Sequence, residues 1–452
     1  MIHLNYRFEI IKEHSGWFLN RNPRFILQGG RKVDIKRPRG TQDVLPKDIN
    51  KWNYVETLFK KVCSDFAYGE MRTPDFEYTE LFKRGVGDTT DIVQKEMFTF
   101  EAKSKESITL KPEGTAPVVR AYIENKLYAD PQPSKFFYIT PCFRYEKPQA
   151  GRLRAFHQFG IEIFGTDSSS ADAEVISLAV EFFRRLEIDD KIELRINSVG
   201  TLESRKEYNK ILRDYLKPNY DNLCQTCKDR FEKNPMRIID CKNETCKAIS
   251  HDAPLMIDHL DEESKLHFEK LKKYLTAMKI DYTIDPHIVR GLDYYTKSAF
   301  EFVSNDIGSQ STVCGGGRYD GLIEELGGPK IPGVGFGLGI ERLILLLDNL
   351  EKDINQQPSL DVFIASMGEA AEIEAFKILY DLRKAGISCE KDHVGKSIKA
   401  QFKYADKLNS RFTIVLGDDE INNQIVTVKD MSNSTQTQIK LDDIVNYFKN
   451  LK

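Results

Sequence analysis

Side chains suited to holding a phosphate and a small polar ligand are concentrated between residues 143 and 165 of this 452-residue chain. The polar and aromatic members of this stretch are Arg144, Glu146, Lys147, Gln149, Arg152, Arg154, Phe156, Gln158 and Glu162. Arginine forms bidentate contacts with phosphate, and an aromatic ring offers a nucleobase a stacking surface. The pattern therefore fits a nucleotide site beside a small-ligand site, and an ordinary hairpin with a charged tip is the alternative.

Two strands are predicted, at residues 135–146 and 156–164, and the polar loop that joins them holds four of these side chains. Successive residues of a strand point to opposite faces of the sheet. In the second strand, Phe159, Ile161 and Ile163 share one face, while Gln158 and Glu162 lie on the other. One face is therefore largely apolar, and the other carries the ring of Phe156, the amide of Gln158 and the carboxylate of Glu162.

The order Phe-Arg-x-Glu, a basic loop and then Arg-x-Phe-His-Gln, over residues 143–158, resembles motif 2 of the class II aminoacyl-tRNA synthetases. In this form it is similar to the histidyl-tRNA synthetase family. The resemblance extends to Lys-Pro-Glu-Gly-Thr at residues 111–115, Arg-Gly-Leu-Asp-Tyr-Tyr at 290–295, and a glycine-rich run ending in Glu341-Arg342 that resembles motif 3. It covers about residues 34–452.

These segments also have structural interpretations. Glu113 could be an acidic neighbour of a helix N-terminus, with Thr115 as the predicted N-cap. Tyr294 and Tyr295 could be buried strand residues. The glycine-rich run could form a dinucleotide loop, but the βαβ pattern that such a loop needs does not follow it. Strands are also predicted at residues 95–100 and 108–111.

The resemblance implies a two-step reaction. ATP, with Mg2+, activates L-histidine to histidyl-adenylate, and the histidine is then transferred to the 3′ end of a histidine tRNA, with release of diphosphate and AMP. Arg290 and Arg144 would be the catalytic cations. The histidine-binding residues would be Glu113, Gly114, Thr115, Arg144, Gln158, Glu162, Arg290, Tyr294 and Tyr295. The ATP-binding residues would be Arg144, Glu146, Arg152, Phe156 and Arg342, and Gln149 would contact the tRNA.

The resemblance also implies the fold class, an α+β catalytic domain with an antiparallel sheet flanked by helices. This domain would span residues 34–350, with a helical insertion at about 205–280. A helix with apolar residues at helical spacing over residues 52–66, followed by a strand at 68–72, resembles motif 1. Because motif 1 forms the dimer interface in that family, we expect a homodimer, although plain core packing is the alternative.

Residues 358–452 alternate strand and helix signals as an α/β domain does, and they match the position of the family's anticodon-binding domain. Near the helix predicted at residues 397–408, four lysines recur at a spacing that places them on one face, namely Lys396, Lys399, Lys403 and Lys407. A lysine stripe is typical of a solvated face. The resemblance favours contact of Lys399 and Lys403 with tRNA phosphates.

Composition limits where and how the chain can act. A net charge of −3 provides no global attraction for nucleic acid, so RNA binding requires local basic patches. The longest apolar run, near residues 338–350, is too short and too charged to span a membrane. Four of the cysteines, Cys63, Cys142, Cys314 and Cys389, are scattered along the chain, which is typical of the reduced thiols of a cytoplasmic protein.

Four of the eight cysteines form a Cys-x2-Cys-x13-Cys-x4-Cys pattern, made by Cys224, Cys227, Cys241 and Cys246. This spacing is close to that of a zinc ribbon. Zinc is one hypothesis, and free thiols or a remnant site are the other, because the catalytic core of the family does not require zinc.

Residues 1–33 precede the resemblance. The segment Gln28-Gly-Gly-Arg-Lys could be encoded by a purine-rich ribosome-binding sequence before a GTG codon for Val33. A start-site error and a genuine extension are therefore both open. The competing prediction for the whole chain is a non-catalytic, synthetase-like regulatory subunit of histidine biosynthesis, a class that usually lacks the anticodon domain.

Overall fold

The computed structural model describes residues 35–87, 90–241, 243–292, 294–308, 312–352, 354 and 359–451, and the backbone alone of 25–26 and 32–33. The rest of the extension predicted at residues 1–33 lies outside the described residues, as do Asp293 and the boundary residue Pro358. The chain forms two compact units. The first contains Met1–Val44 and Val55–Lys352, and the second contains Leu45–Tyr54 and Asp353–Lys452.

The first unit contains the strands and helices that surround the predicted site. Its strands are β1 (Phe25–Ile26), β2 (Lys32–Val33), β3 (Gly69–Glu70), β4 (Phe76–Tyr78), β5 (Phe98–Glu101), β6 (Ser107–Leu110), β7 (Ser134–Phe143), β8 (Ala155–Phe164), β9 (Glu193–Ser198), β10 (Thr283–Ile284), β11 (Thr296–Val303), β12 (Thr312–Arg318) and β13 (Gly333–Gly339). Its helices are α1 (Ile49–Asp65, in this unit from Val55), α2 (Thr79–Val86), α3 (Thr115–Glu124), α4 (Ser169–Arg185), α5 (Leu202–Leu216), α6 (Gln225–Lys233), α7 (Glu244–Ser250), α8 (Glu262–Ala277), α9 (Leu322–Glu325) and α10 (Ile340–Asn349).

An eight-stranded sheet in the order β10-β9-β11-β12-β13-β8-β7-β3 organises this unit. The pairs from β9 to β7 are antiparallel, whereas the outermost pairs, β10–β9 and β3–β7, are parallel. The predicted α+β class with an antiparallel sheet is therefore confirmed, with parallel edges added. A second sheet of three strands, in the order β4-β6-β5, precedes α3.

The apolar face of β8 packs into the core, as its alternation predicts. Phe159 stacks on Phe59 of α1 with ring centroids 4.3 Å apart, and it meets Phe182 of α4 edge to face at 6.0 Å. All three rings are buried. Burial of such rings supplies much of the favourable free energy of folding. The opposite face of β8 is left to carry Gln158 and Glu162.

Three local predictions were wrong. The first strand of the hairpin ends at Phe143 instead of residue 146, because the N–H of Glu146 donates to the carbonyl of Arg144 and turns the backbone out of the sheet. Residues 95–96 belong to a helical turn, Ile92–Glu96, and not to a strand. The N-cap of α3 is Gly114, and Thr115 is the first helical residue.

The second unit has a sheet in the order β15-β14-β16-β17-β18. Its strands are β14 (Val362–Ser366), β15 (Cys389–Lys391), β16 (Phe412–Leu416), β17 (Ile425–Asp430) and β18 (Gln436–Lys440), and its helices are α11 (Glu369–Lys384), α12 (Ile398–Lys407), α13 (Asp418–Asn423) and α14 (Ile444–Asn450). The elements up to β16 match the predicted alternation, and everything after β16 was not predicted. Within the described ranges, no helix is long and apolar enough to cross a bilayer.

Candidate active site

A cavity of about 480 Å³ lies in the first unit, beside β8, β12 and β13. Most of the predicted site residues line it. These are Glu113, Thr115, Arg144, Glu146, Arg152, Phe156, Gln158, Arg290, Tyr294, Tyr295 and Arg342. They come from four separate stretches of the chain, which only the folded sheet brings together.

Arg144 and Arg152 share one carboxylate in the loop between β7 and β8. Nε of Arg152 lies 3.0 Å from Oε2 of Glu146, and Nη1 of Arg144 lies 3.8 Å from Oε1 of the same residue. Nε of Arg144 also donates to the carbonyl of Pro112 at 2.8 Å, and its guanidinium lies 5.3 Å from the Phe156 ring centroid. Two cations with one shared carboxylate leave this loop with an excess of positive charge.

Arg342 adds a third guanidinium at the N-terminal end of α10. Its Nη1 donates to the carbonyl of Thr312 at 2.7 Å. Burial, reinforced by the charge of nearby Arg152, lowers the pKa of Arg342. Arginine remains cationic in proteins, so this buried positive charge would be stabilised by an anion in the cavity.

Glu341 fixes the start of α10 against β8. Its two carboxylate oxygens accept the backbone N–H of His157 at 2.9 and 3.0 Å, and Oε1 also contacts Nδ1 of the His157 ring at 3.0 Å. The hydrogen bond to Glu341 raises the pKa of His157. This pair fixes the start of α10, which carries Arg342, next to the part of β8 that carries Gln158.

Glu113 occupies the N-terminus of α3. Its carboxylate accepts the N–H of Thr115 at 2.7 Å and the N–H of Ala116 at 2.8 Å. Burial raises the pKa of Glu113, and these two backbone donors oppose that shift. Glu113 is therefore the acidic neighbour of a helix N-terminus, and its side chain also lines the cavity. Next to Glu113, the N–H of Gly114 donates to Oε1 of Gln158 at 3.0 Å, which links the start of α3 to β8.

Glu162 lies in a layer of hydroxyl groups beside the cavity tyrosines. Oε1 accepts the hydroxyl of Tyr138 at 3.1 Å, and Oε2 accepts the hydroxyl of Tyr319. Burial raises the pKa of Glu162 to about 8, although these hydrogen bonds oppose the shift. The ring of Tyr319 packs 5.4 Å from that of Tyr294, which lines the cavity.

Arg290 has one partner that no motif indicated, Glu301. Its backbone is left-handed, with φ of 59°, and its Nη1 forms an ion pair with Glu301 of β11. Its guanidinium lies 5.6 Å from the Tyr295 ring centroid. A Cβ at Gly315 would come within 2.5 Å of both terminal nitrogens of Arg290, so only glycine leaves room for this cation.

Sequence reasoning missed Tyr138, Tyr319, Glu301 and Gly315. One signal was available for Glu301, an acid between two phenylalanines in a strand, because a carboxylate inside an apolar run needs a partner. Tyr138, which lies in β7, gave no such signal, because a tyrosine in a strand is ordinary core material.

Gln149 lies at the exposed tip of the loop between β7 and β8. Its N–H and carbonyl pair with those of Arg152 at 3.1 and 2.9 Å, which closes a tight turn. In the second unit, Lys399 and Lys403 are exposed on α12. Their exposure fits a tRNA contact and a solvated face equally.

The four cysteines of the insertion converge. The sulfur atoms of Cys224, Cys227, Cys241 and Cys246 all lie within 4.8 Å of one another.

Comparison with known proteins identifies the family. A family model described as histidyl-tRNA synthetase matches residues 40–343, and one described as an anticodon binding domain matches residues 361–451. The histidine–tRNA ligase of Clostridioides difficile strain 630 is 60% identical over 415 residues, which cover 92% of this chain and 99% of that protein. The crystal structure of apo Staphylococcus aureus histidyl-tRNA synthetase superimposes with a TM-score of 0.78 at 43% identity, covering 92% of this chain and 100% of that one.

The competing class shares the fold. A Bacillus halodurans structure described as an ATP phosphoribosyltransferase regulatory subunit/histidyl-tRNA synthetase has a TM-score of 0.61 at 21% identity, covering 86% of this chain and 99% of that one. A likeness at that identity concerns the fold alone. The match to ligases over almost the whole chain, with both family models satisfied, decides between the two classes. The chain belongs to the histidyl-tRNA synthetase family.

Proposed function

We propose that this chain activates L-histidine with ATP to form histidyl-adenylate, and then transfers the histidine to the 3′ end of a histidine tRNA. The observation that carries the proposal is the presence of two kinds of group around one cavity. The guanidinium groups of Arg144, Arg152 and Arg342 line this cavity, and such groups suit bidentate contact with the phosphates of ATP. Buried tyrosines, an amide and carboxyl groups suit a small polar amino acid.

In the first step, a carboxylate oxygen of histidine attacks the α-phosphorus of ATP, the bond to the bridging oxygen breaks, and diphosphate leaves. Negative charge grows on the α-phosphate oxygens, so cations already fixed there lower the barrier. We assign that role to Arg144, which the Pro112 carbonyl orients, and to Arg290, which Glu301 orients. The magnesium ion that accompanies ATP would bind phosphate oxygens together with a carboxylate, a role open to Glu146 or Glu301 in the cavity lining.

The remaining residues position the two substrates. Arg152 and Arg342 would hold the triphosphate, with Phe156 and Arg342 enclosing the adenine. Glu113, Thr115 and Gln158 would receive the ammonium group of histidine. Tyr294 and Tyr295 would enclose the imidazole, and Glu162 would set the polarity of that pocket through the neighbouring hydroxyl groups. A buried site with such groups rejects analogues that lack a ring N–H.

In the second step, a hydroxyl of the terminal ribose attacks the carbonyl carbon of the adenylate, and AMP leaves. Gln149 is exposed at the loop tip, where its amide could pair with a base edge. In the family, this loop reaches the acceptor end, where histidine tRNA carries an extra 5′ guanosine. Gln149→Ala should slow transfer, leave adenylate formation intact, and narrow the gap between tRNAs with and without that guanosine. If the ratio of the transfer rates to the two tRNAs is unchanged, another part of the protein recognises the extra guanosine.

We assign catalysis to residues 34–350 and anticodon binding to residues 358–452, where Lys399 and Lys403 would contact phosphates. We also propose a cytoplasmic location, which the eight unpaired thiols support, and a homodimer, which motif 1 implies. Light scattering during size-exclusion chromatography measures the mass of the assembly, and a mass equal to one chain would contradict the dimer.

Exchange of labelled diphosphate into ATP, measured with each of the twenty amino acids, tests the proposed activity. Histidine alone should support exchange. Arg290→Ala should slow it about 10²- to 10³-fold, the effect of losing one group that stabilises a developing anion. Exchange supported by a different amino acid would overturn the proposal, as would a folded protein that shows no exchange with any amino acid. Near-normal exchange in Arg290→Ala would remove that residue from the mechanism.

A further inference from the structure

The four-cysteine cluster has the geometry of a single-ion site. Cys224 is the N-cap of α6 and Cys227 lies in its first turn, while Cys246 lies in the first turn of α7 and Cys241 lies between the two helices. Tetrahedral zinc with Zn–S bonds of about 2.3 Å holds its sulfurs about 3.8 Å apart. The separation of 3.9 Å between the sulfurs of Cys224 and Cys241 agrees with that value, and all four sulfurs fall within 4.8 Å.

The same distances argue against the other uses of four cysteines. An iron–sulfur cluster places several metal atoms between the cysteine sulfurs and so needs a wider cage than one ion does. A disulfide requires sulfurs about 2.05 Å apart, whereas all four thiols are unpaired.

Backbone donors support two of the sulfurs. The N–H of Cys224 points at the sulfur of Cys246 at 3.2 Å, and the N–H of Asn243 points at the sulfur of Cys241 at 3.5 Å. The Asn243 side chain in turn caps α7 by accepting from the N–H groups of Thr245 and Cys246. Such outer contacts orient metal ligands and stabilise thiolates.

The segment between Cys227 and Cys241 reaches the active-site cavity. Arg230 forms an ion pair with Asp91 at 2.9 Å, and Arg237 approaches the same carboxylate at 3.8 Å. Asp91 precedes Ile92, a cavity residue, and Asp240, the neighbour of Cys241, also lines the cavity. A metal ion bound by Cys227 and Cys241, which flank this segment, would fix that part of the cavity wall.

We propose that Cys224, Cys227, Cys241 and Cys246 bind one zinc ion, and that this ion holds residues 228–240 in place so that Asp240 forms part of the cavity wall. The ion is structural, because four protein ligands leave no open position for a substrate. This inference concerns the insertion and is independent of the proposed reaction.

Metal analysis of the full chain, purified without chelators, tests the first part of the proposal. About one zinc per chain is expected. Cys224→Ser should lose it, whereas Cys389→Ser, which changes a buried thiol of the second unit, should keep it. Cobalt introduced in place of zinc should give the intense thiolate-to-metal absorption of a four-sulfur tetrahedral site.

Hydrogen exchange tests the second part on the unmodified chain, so that a poorly folding variant cannot obscure the result. Removal of zinc with a high-affinity chelator should speed amide exchange in residues 228–240 and leave α4 unchanged. Four free thiols without metal, a disulfide, or iron at the site would overturn the zinc assignment. Zinc release without faster exchange in residues 228–240 would overturn its role in the wall.

Discussion

Replacing Gly315 with alanine should slow histidine activation by displacing Arg290 without removing it. Gly315 lies in β12, opposite Glu301 of β11, which is the carboxylate that pairs with Arg290. An added Cβ would lie 2.5 Å from Nη1 and Nη2 and 2.7 Å from Cζ of Arg290. Because non-bonded heavy atoms settle at about 3.5–4 Å, the guanidinium must retreat by roughly 1 Å. Misplacement of that size can cost about 10²-fold in rate.

The assay is histidine-dependent exchange of diphosphate into ATP, with circular dichroism to verify folding. Gly321→Ala is the matched control, because Gly321 has φ of −99° and a Cβ there meets nothing within 4 Å. The double variant Gly315→Ala/Arg290→Ala should be no slower than Arg290→Ala alone, since both changes act through one guanidinium. Near-normal exchange in Gly315→Ala would refute the reasoning, as would a double variant whose loss equals the product of the single losses.

Three further predictions concern proton binding, the core and the second unit. Because burial raises the pKa of Glu162 to about 8, from 4.5 in the unfolded chain, the native state keeps a proton that the unfolded state loses. Stability should therefore fall as the pH rises between those values, by up to about 1.4 kcal/mol per pH unit, and Glu162→Gln should flatten that fall in urea titrations. Arg318→Met removes the guanidinium that pairs with the fully buried Asp172 and leaves that carboxylate with His267, 3.3 Å away. This should cost about 3–5 kcal/mol of unfolding free energy, and Asp172→Leu in the same chain should recover part of it. Replacing Lys399 and Lys403 with Glu should raise the KM for tRNA without changing diphosphate exchange.

Each of these has a result that would contradict it. Parallel pH profiles for Glu162→Gln and the unchanged protein would mean that this carboxyl group is not protonated in the native state. A loss below about 1 kcal/mol in Arg318→Met would mean that water reaches the pair. Equal damage to charging and to exchange in the lysine variant would indicate a folding defect and not a tRNA contact.

The alternation of residues along β8 was enough to predict which face meets the core, because strand periodicity is a local property. The motif residues were predicted from resemblance, and the fold brings most of them to one cavity. Tyr138 and Glu301 could not be found in the same way. Tyr138 contacts Glu162, 24 residues away, and Glu301 contacts Arg290, 11 residues away. The sequence alone does not show which partner each residue meets, because those contacts form only once the sheet has paired.

The predicted end of the first hairpin strand was wrong because a local hydrogen bond competed with the pairing of the sheet. Arg144 and Glu146 were predicted to extend the strand, but the short-range bond between their backbones bends the chain. The strands after Leu416 carry many polar residues, and β18 alone reads Gln-Thr-Gln-Ile-Lys. A strand at the edge of a sheet needs little apolar surface, so its periodicity gives a weak signal.

Attachment of labelled histidine to tRNA tests the central claim most directly. With ATP and magnesium present, the chain should transfer histidine to the 3′ end of purified histidine tRNA. The same tRNA, oxidised with periodate so that its terminal ribose lacks hydroxyl groups, should accept none. Histidine-dependent charging of the intact tRNA alone is the predicted result. A folded protein that binds histidine and ATP but charges no tRNA would contradict the assignment and favour a non-catalytic role for this fold.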